Sequence, residues 1–196
     1  MFAPHPISFV QLNAFWILTA LLVTGVLWVG LRNINKPSAK ARRLGSTIGI
    51  ALQALGCAAA GIGFTKPVLP WWAPYSLAST ILVILLGGSA ILIFLWAAIT
   101  MGKNWSLVAR TRSDHQLIRS GPFSMVRHPI YLALLLYLFS IAAALGHWQQ
   151  LLFAIPLYVA GTFIRIRDEE KLLRAQFGDE HERYVRDVPA LIPLIF

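Results

Sequence analysis

The chain has 196 residues, of which 57% are hydrophobic and only 13% are charged. Soluble domains carry about 25% charged residues, so this composition excludes an ordinary soluble domain and indicates a membrane protein. The formal net charge of +9 would also suit a nucleic-acid-binding protein, but the sequence has no motif of that class. We therefore expect no nucleic-acid partner.

Three stretches without charge predict membrane-spanning helices. Residues 7–31, 45–64 and 75–99 contain no Asp, Glu, Lys or Arg, and they are 25, 20 and 25 residues long. A helix needs about 20 apolar residues to cross a bilayer. Each stretch is therefore long enough for one crossing.

A fourth uncharged stretch is too long for a single crossing. Residues 129–164 would form a helix of about 54 Å, whereas the hydrocarbon core is about 30 Å thick. Gly146 and His147 interrupt this stretch near its middle. We therefore predict a tight helical hairpin with arms at 129–145 and 148–164. The predicted fold class is all-α integral membrane, with five transmembrane helices and a cytoplasmic C-terminal helical tail.

The positions of the cations predict the orientation. Of the 17 Lys and Arg residues, 16 lie in the first loop, in the third loop or after residue 164. Cytoplasmic loops carry an excess of Lys and Arg, so these segments are expected inside and the N-terminus outside. We predict one domain overall, in which residues 1–74 form a two-helix scaffold and residues 75–196 form the core. The core combines helices three to five with the cytoplasmic loop 100–128 and the tail 165–196.

The motif GPFSMVRHPIY, residues 121–131, predicts an anion site at the cytoplasmic end of the fourth helix. Pro129 suits the first helical position, because its missing N–H would be unpaired there. The free N–H groups of a helix N-terminus attract anions, and Arg127 adds a full charge. His128 and Tyr131 are three positions apart, so they become neighbours once the helix begins. An interfacial anchor without a ligand is the alternative.

The motif FIRIRDEEKLLRAQFG, residues 163–178, contributes charges of both signs. Arg165 and Glu169 are four positions apart and share a helix face, although Glu169 and Glu170 alone could be a solvated face. The hairpin would bring these residues beside the start of the fourth helix. Such a site suits a polar cofactor with both charge signs and a substrate with an apolar tail. The five histidines and the single cysteine are scattered along the chain, so we expect no metal.

Taken together, these motifs resemble those of a known family. The C-terminal part of the chain, about residues 75–195, resembles the isoprenylcysteine carboxyl methyltransferases and their bacterial and archaeal relatives. The resemblance rests on MGKNWS (101–106), DHQLIRSGPFSMVRHPIY (114–131), FIRIRDEEKLL (163–173), QFGDEHERY (176–184) and VPALIP (188–193). It implies a prokaryotic member of that family, in an inner or plasma membrane, that uses S-adenosylmethionine without a Rossmann domain.

The resemblance also implies which residues form the site. The cofactor-binding residues would be His115, Leu117 and Gly121 from the loop, Arg127, His128 and Tyr131 from RHPxY, and Glu169 and Glu170 from the tail. The catalytic residues would be Arg165 and Glu169. Arg127 or the helix N-terminus would bind the cofactor carboxylate, and Glu169 or Glu170 would bind its ribose hydroxyls or ammonium. Ala133 departs from the family, which often has Gly at this position.

The expected function is S-adenosylmethionine-dependent methylation at the cytoplasmic membrane face. The acceptor would be a lipophilic small molecule or a prenylated substrate, such as a prenylcysteine-type carboxylate, reached from the membrane lipid. Two alternatives stay open. One is an NADPH-dependent reductase of lipid or sterol double bonds, because some sterol reductases have a similar C-terminal membrane region. The other is a non-enzymatic membrane protein that keeps the fold.

Overall fold

A computed structural model describes residues 4–32, 44–63, 65–102 and 116–192. The regular structure of these residues is almost entirely helical. In chain order the helices are α1 (Phe9–Arg32), α2 (Leu44–Gly61), α3 (Pro74–Met101), α4 (Pro129–Leu145), α5 (Leu151–Phe177) and α6 (Asp179–Asp187). Two short strands, β1 (Ile7–Ser8) and β2 (Pro67–Leu69), pair in parallel, and 3-10 turns cover Gly121–Ser124 and Trp148–Gln150.

The helices confirm an all-α membrane architecture. By length and composition, three segments can cross a membrane: Phe9–Arg32, Pro74–Met101 and Trp148–Phe177. The helices Gly45–Gly61 and Pro129–Leu145 are apolar but shorter. The count of five crossings therefore stays a prediction. The last long segment extends beyond the membrane arm at 148–164, because the charged residues after position 164 continue the same helix, as expected from the motif at 163–178.

Small residues let α2 and α5 pack closely. A Cβ atom added to Gly161 of α5 would lie 2.6 Å from the carbonyl oxygen of Gly49, and one added to Gly56 would lie 2.9 Å from that of Ala154. Helices in lipid associate through van der Waals packing rather than hydrophobic burial. The close approach of the two backbones therefore stabilises the α2–α5 pair. The packing of α2 on α5 thus fixes the relative positions of residues on the two helices.

The two arms of the predicted hairpin are joined by a short turn, but each packs mainly on another helix. The most extensive packing of α5 is with α2, and that of α4 is with α3. Gly146 ends α4 in the left-handed conformation, with φ of 70°. The turn agrees with the predicted break, whereas the tightness of the hairpin is not confirmed.

The N-terminal segment stabilises the end of α4. The last carbonyls of a helix have no partner within it. The Gln11 Nε2 atom donates to the carbonyl oxygens of Ala143 and Ala144 at 2.7 and 3.1 Å, and the His5 N–H donates to Gly146 at 2.8 Å. These hydrogen bonds tie α1 to the α4–α5 turn, at the end of α4 that is opposite Pro129.

Replacing Gly161 with Ala should separate α2 from α5. The added methyl group would meet backbone atoms that cannot rotate away, and overpacking of this kind costs about 1–3 kcal/mol. Gly161→Ala should therefore lower the unfolding temperature of the protein in detergent. Gly88→Ala on α3 is the matched control, because nothing lies within 4 Å of its added Cβ. Equal unfolding temperatures for the two variants would contradict the close packing.

Candidate functional site

The site begins at the segment that leads into α4. Gly121 has φ of 60°, and a Cβ there would lie 2.9 Å from Thr100 Oγ1 and 3.1 Å from Trp96 Nε1. A side chain at this position would therefore be strained by the backbone and blocked by the end of α3. Pro129 is the first residue of α4, as predicted, and His128 precedes it at the N-cap. The segment thus lies on α3 and presents Arg127 and His128 together.

The C-terminal tail holds this segment in place. The backbone N–H groups of Arg127 and His128 donate to the carbonyl oxygens of Pro189 and Ala190 at 2.9 and 3.0 Å. The Tyr184 hydroxyl on α6 donates to the carbonyl oxygen of Phe123 at 2.6 Å. Burial raises the pKa of Tyr184 to about 12, so this hydroxyl keeps its proton at neutral pH. Tail and loop therefore form one surface.

Glu170 of α5 is the acceptor for two cationic side chains. Arg127 Nε and Nη2 lie 2.9 and 2.8 Å from Glu170 Oε1, and His128 Nε2 lies 3.3 Å from the same oxygen. Arg127 Nη1 also donates to the carbonyl oxygens of Val185 at 3.1 Å and Val188. Among the described residues, Glu170 Oε2 has no hydrogen-bond partner. One oxygen of this carboxylate is engaged and the other is open.

Glu169 holds the other side of the histidine ring. His128 Nδ1 lies 3.5 Å from Glu169 Oε2, and the Tyr131 hydroxyl donates to Glu169 Oε1. The rings of His128 and Tyr131 stack with centroids 5.7 Å apart. The imidazole therefore lies between two carboxylates, each of which also has a second partner.

The charge on His128 is favoured by these neighbours. Burial lowers the pKa of His128, but the hydrogen bonds and negative charges of Glu169 and Glu170 outweigh burial and raise it above its usual value of 6.5. An imidazolium with a carboxylate at each nitrogen follows from this geometry. It would hold both glutamates in fixed positions.

Arg165 connects this cluster to α2. Its guanidinium carbon lies 5.0 Å from the centre of the Tyr131 ring, and Nη2 lies 3.7 Å from Glu169 Oε1. Its Nη1 donates to Gln53 Oε1 at 3.2 Å, and Gln53 Nε2 donates to Thr162 Oγ1 at 2.8 Å. Sequence reasoning missed Gln53. The available signal was its position as the one polar side chain between Thr47 and Cys57.

The residues predicted from the sequence fall into three groups. The structure brings together Arg127, His128, Tyr131, Arg165, Glu169 and Glu170. Leu117 is half-buried in the segment before Gly121, and no described hydrogen bond or ion pair joins either residue to the glutamates. His115 lies outside the described residues. Ala133 is buried against α1 and α3. The difference from the family at this position therefore affects the packing of helices.

The described residues offer no metal site. No group of three His, Cys, Asp or Glu side chains within residues 4–32, 44–63, 65–102 and 116–192 could hold an ion. The arrangement instead offers fixed positive charge, carboxylate oxygens and stacked aromatic surface beside an apolar helix bundle. These groups can bind a polar, charged ligand beside the helix bundle.

Comparison with known proteins agrees with this chemistry. Residues 81–175 match the family model described as the isoprenylcysteine carboxyl methyltransferase (ICMT) family. The protein-S-isoprenylcysteine O-methyltransferase of Schizosaccharomyces pombe is 36% identical over 102 residues, which cover 50% of this chain and 43% of that protein. A probable protein-S-isoprenylcysteine O-methyltransferase of Oryza sativa subsp. indica is 33% identical over 109 residues, covering 50% and 53%.

A bacterial relative carries a different name. The cobalt-zinc-cadmium resistance protein CzcN of Cupriavidus metallidurans is 33% identical over 98 residues, which cover 48% of this chain and 44% of that protein. The chain spans about half the length of the curated relatives it matches. The family match includes the loop motif and both glutamates, and it leaves out α1 and α2. Residues 81–175, which contain the charged cluster between α4 and α5, are therefore similar to the ICMT family.

Proposed function

We propose that the protein is an S-adenosylmethionine-dependent methyltransferase that acts at the cytoplasmic membrane face on a lipophilic or amphipathic acceptor. The observation that carries the proposal is the adjacent carboxylate pair of Glu169 and Glu170, held by RHPxY residues within the ICMT match. The match does not favour the reductase or the non-enzymatic protein considered above.

The residues of the site fit the proposed cofactor. S-adenosylmethionine has an ammonium, ribose hydroxyls, a carboxylate and a sulfonium. Glu170 Oε2 is an open acceptor for an ammonium or hydroxyl hydrogen, and the side chains of Glu169 and Glu170 are 25% and 24% exposed. Arg127 is already bonded to Glu170 and to two tail carbonyls. We propose that Arg127 mainly orients Glu170, and that His115, Leu117 and Gly121 complete the cofactor site.

The proposed methyl transfer depends mainly on alignment of the reacting atoms and less on acid–base catalysis. When bound, S-adenosylmethionine would supply an electrophilic methyl group and leave as a neutral thioether. The stacked rings and the tail would exclude water from the reacting atoms and hold the acceptor in line. A carboxylate acceptor needs no base, and Arg165 would attract it. A thiol or amine acceptor would have to lose a proton, which Glu169 or His128 could accept.

The named relatives support a prenylcysteine-type carboxylate as the first acceptor to test. The distribution of cations supports a topology with the N-terminus outside and the tail in the cytoplasm. A prokaryotic inner or plasma membrane is the proposed location. In this arrangement the acceptor carboxylate would approach from the lipid at the level of Arg165 and Tyr131.

Glu170→Gln should weaken cofactor binding. The substitution removes the negative charge beside the open oxygen, and a hydrogen bond to a charged group is worth about 1.5–3 kcal/mol. Isothermal titration with S-adenosylmethionine and with its demethylated product should show a dissociation constant at least about tenfold higher. Glu182→Gln is the control, because Glu182 pairs with Arg174 on the exposed surface.

Two outcomes of this titration would count against the proposals. If folded wild-type protein binds neither compound, the methyltransferase function is wrong. If the wild type binds and Glu170→Gln binds equally well, the function stands and the role of Glu170 is wrong.

Methyl transfer itself can be measured with a labelled methyl group. Wild-type protein in lipid vesicles should transfer the label to a prenylcysteine analogue that has a free carboxylate, and alkali should release it as methanol. Glu169→Gln should lose at least about tenfold in rate, because Tyr131, His128 and Arg165 all depend on this carboxylate. Glu182→Gln should keep the wild-type rate. Label that enters a lipid extract in an alkali-stable form would point to a thiol, amine or carbon acceptor instead.

The stability contributed by His128 should depend on pH. Its folded-state pKa is raised above 6.5, so its ion pairs stabilise the protein fully below that pH and are lost as the pH rises through the raised value. The unfolding temperature of wild type should exceed that of His128→Gln at low pH, and the difference should shrink as the pH rises. A difference that grows with pH would show that His128 is buried in its neutral form.

A further inference from the structure

We propose that Gln53 of α2 is a positioning residue for the reaction, because it holds the Arg165 guanidinium over Tyr131 and beside Glu169. This inference rests on the proposed methyltransferase function. It extends the site to a helix that lies outside the family match, which covers residues 81–175. The sequence had assigned α2 to the scaffold alone.

The Gln53 amide is fixed at both of its ends. A guanidinium can only donate, so the atom facing Arg165 must be the amide oxygen, at 3.2 Å from Nη1. The amide nitrogen then donates to Thr162 Oγ1 at 2.8 Å. Gln53 is 5% exposed and Thr162 is 3% exposed, so water does not compete for these groups. The amide therefore has one orientation and presents one acceptor to Arg165.

Arg165 is a buried cation whose direction this acceptor helps to fix. It is 7% exposed, and its contact with Glu169 is long, at 3.7 Å from Nη2 to Oε1. The Tyr131 ring presents its π face to the guanidinium carbon at 5.0 Å. The Gln53 oxygen is an acceptor that α2 supplies to this guanidinium, at 3.2 Å from Nη1. It fixes the direction in which the cation faces Tyr131 and Glu169.

The frame that carries Gln53 does not depend on its amide. Gly49 lies one turn before Gln53, where a Cβ would lie 2.8 Å from the Gly161 carbonyl oxygen and would also meet the Arg165 side chain. Gly56 approaches α5 equally closely one turn later. These glycine contacts hold α2 against α5 on both sides of the amide. Loss of the amide should therefore displace Arg165 more than it separates the helices.

The test compares two buried glutamines. Gln53→Leu removes the acceptor at the site, and Gln11→Leu removes an equally buried amide that bonds the far end of α4. We expect Gln53→Leu to lower kcat for the prenylcysteine analogue at least about tenfold, with a cofactor dissociation constant within about twofold of wild type. Gln11→Leu should lower the unfolding temperature and keep kcat. Gln53→Glu, which retains an oxygen acceptor, should restore most of the lost rate.

A second measurement does not need activity. In protein labelled with ¹⁵N-arginine, the Arg165 guanidinium signal should carry a ring-current shift from Tyr131, assigned with Arg165→Lys and Tyr131→Leu. Gln53→Leu should abolish that shift, and Gln11→Leu should keep it. If the wild type transfers no methyl group but Gln53→Leu still abolishes the shift, the proposed function fails and the positioning role stands.

Either of two results would overturn the inference. One is an Arg165 signal that is unchanged in Gln53→Leu. The other is a loss of kcat that is equal in Gln53→Leu and Gln11→Leu, which would show that both glutamines act only through stability.

Discussion

Two adjacent glutamates on one helix set the main physical constraint on this protein. Glu169 and Glu170 lie where α5 leaves the apolar bundle, and each side chain is about three-quarters covered. Carboxylates in such a place need cations and hydrogen-bond donors, because burial disfavours the charged form. Arg127, His128 and Arg165 provide them. This requirement holds the start of α4 against the C-terminal half of α5.

The tail extends the same constraint to the end of the chain. Arg127 donates to the carbonyl oxygens of Val185 and Val188, and its own N–H donates to Pro189. The cation that neutralises Glu170 therefore also anchors the segment that follows α6. Any ligand that competes for the carboxylate would act on the tail through this arginine. The α4 segment, α5 and the tail thus form one hydrogen-bonded unit at one end of the bundle.

Much of the arrangement could be predicted from local patterns. Uncharged stretches mark the helices because lipid excludes charge, and the α4 start at Pro129 follows from the geometry of a helix N-terminus. Arg165 and Glu169 share a face because they are four positions apart. What could not be predicted is the helix on which α5 packs. Small residues occur on several helices, and only shape complementarity selects α2 as the partner.

The sequence by itself determined the helical segments, the site motifs and the opposite charges that meet between them. Those features depend on composition and on spacing along one chain. Only the tertiary structure decided that Gln53 reaches Arg165, that one oxygen of Glu170 stays open, and that Arg127 is bonded to the tail. The hydrogen bonds of Arg165 to Gln53, and of Arg127 to Glu170 and the tail, join residues more than 40 positions apart. Their existence depends on how helices rotate and pack, which no local pattern specifies.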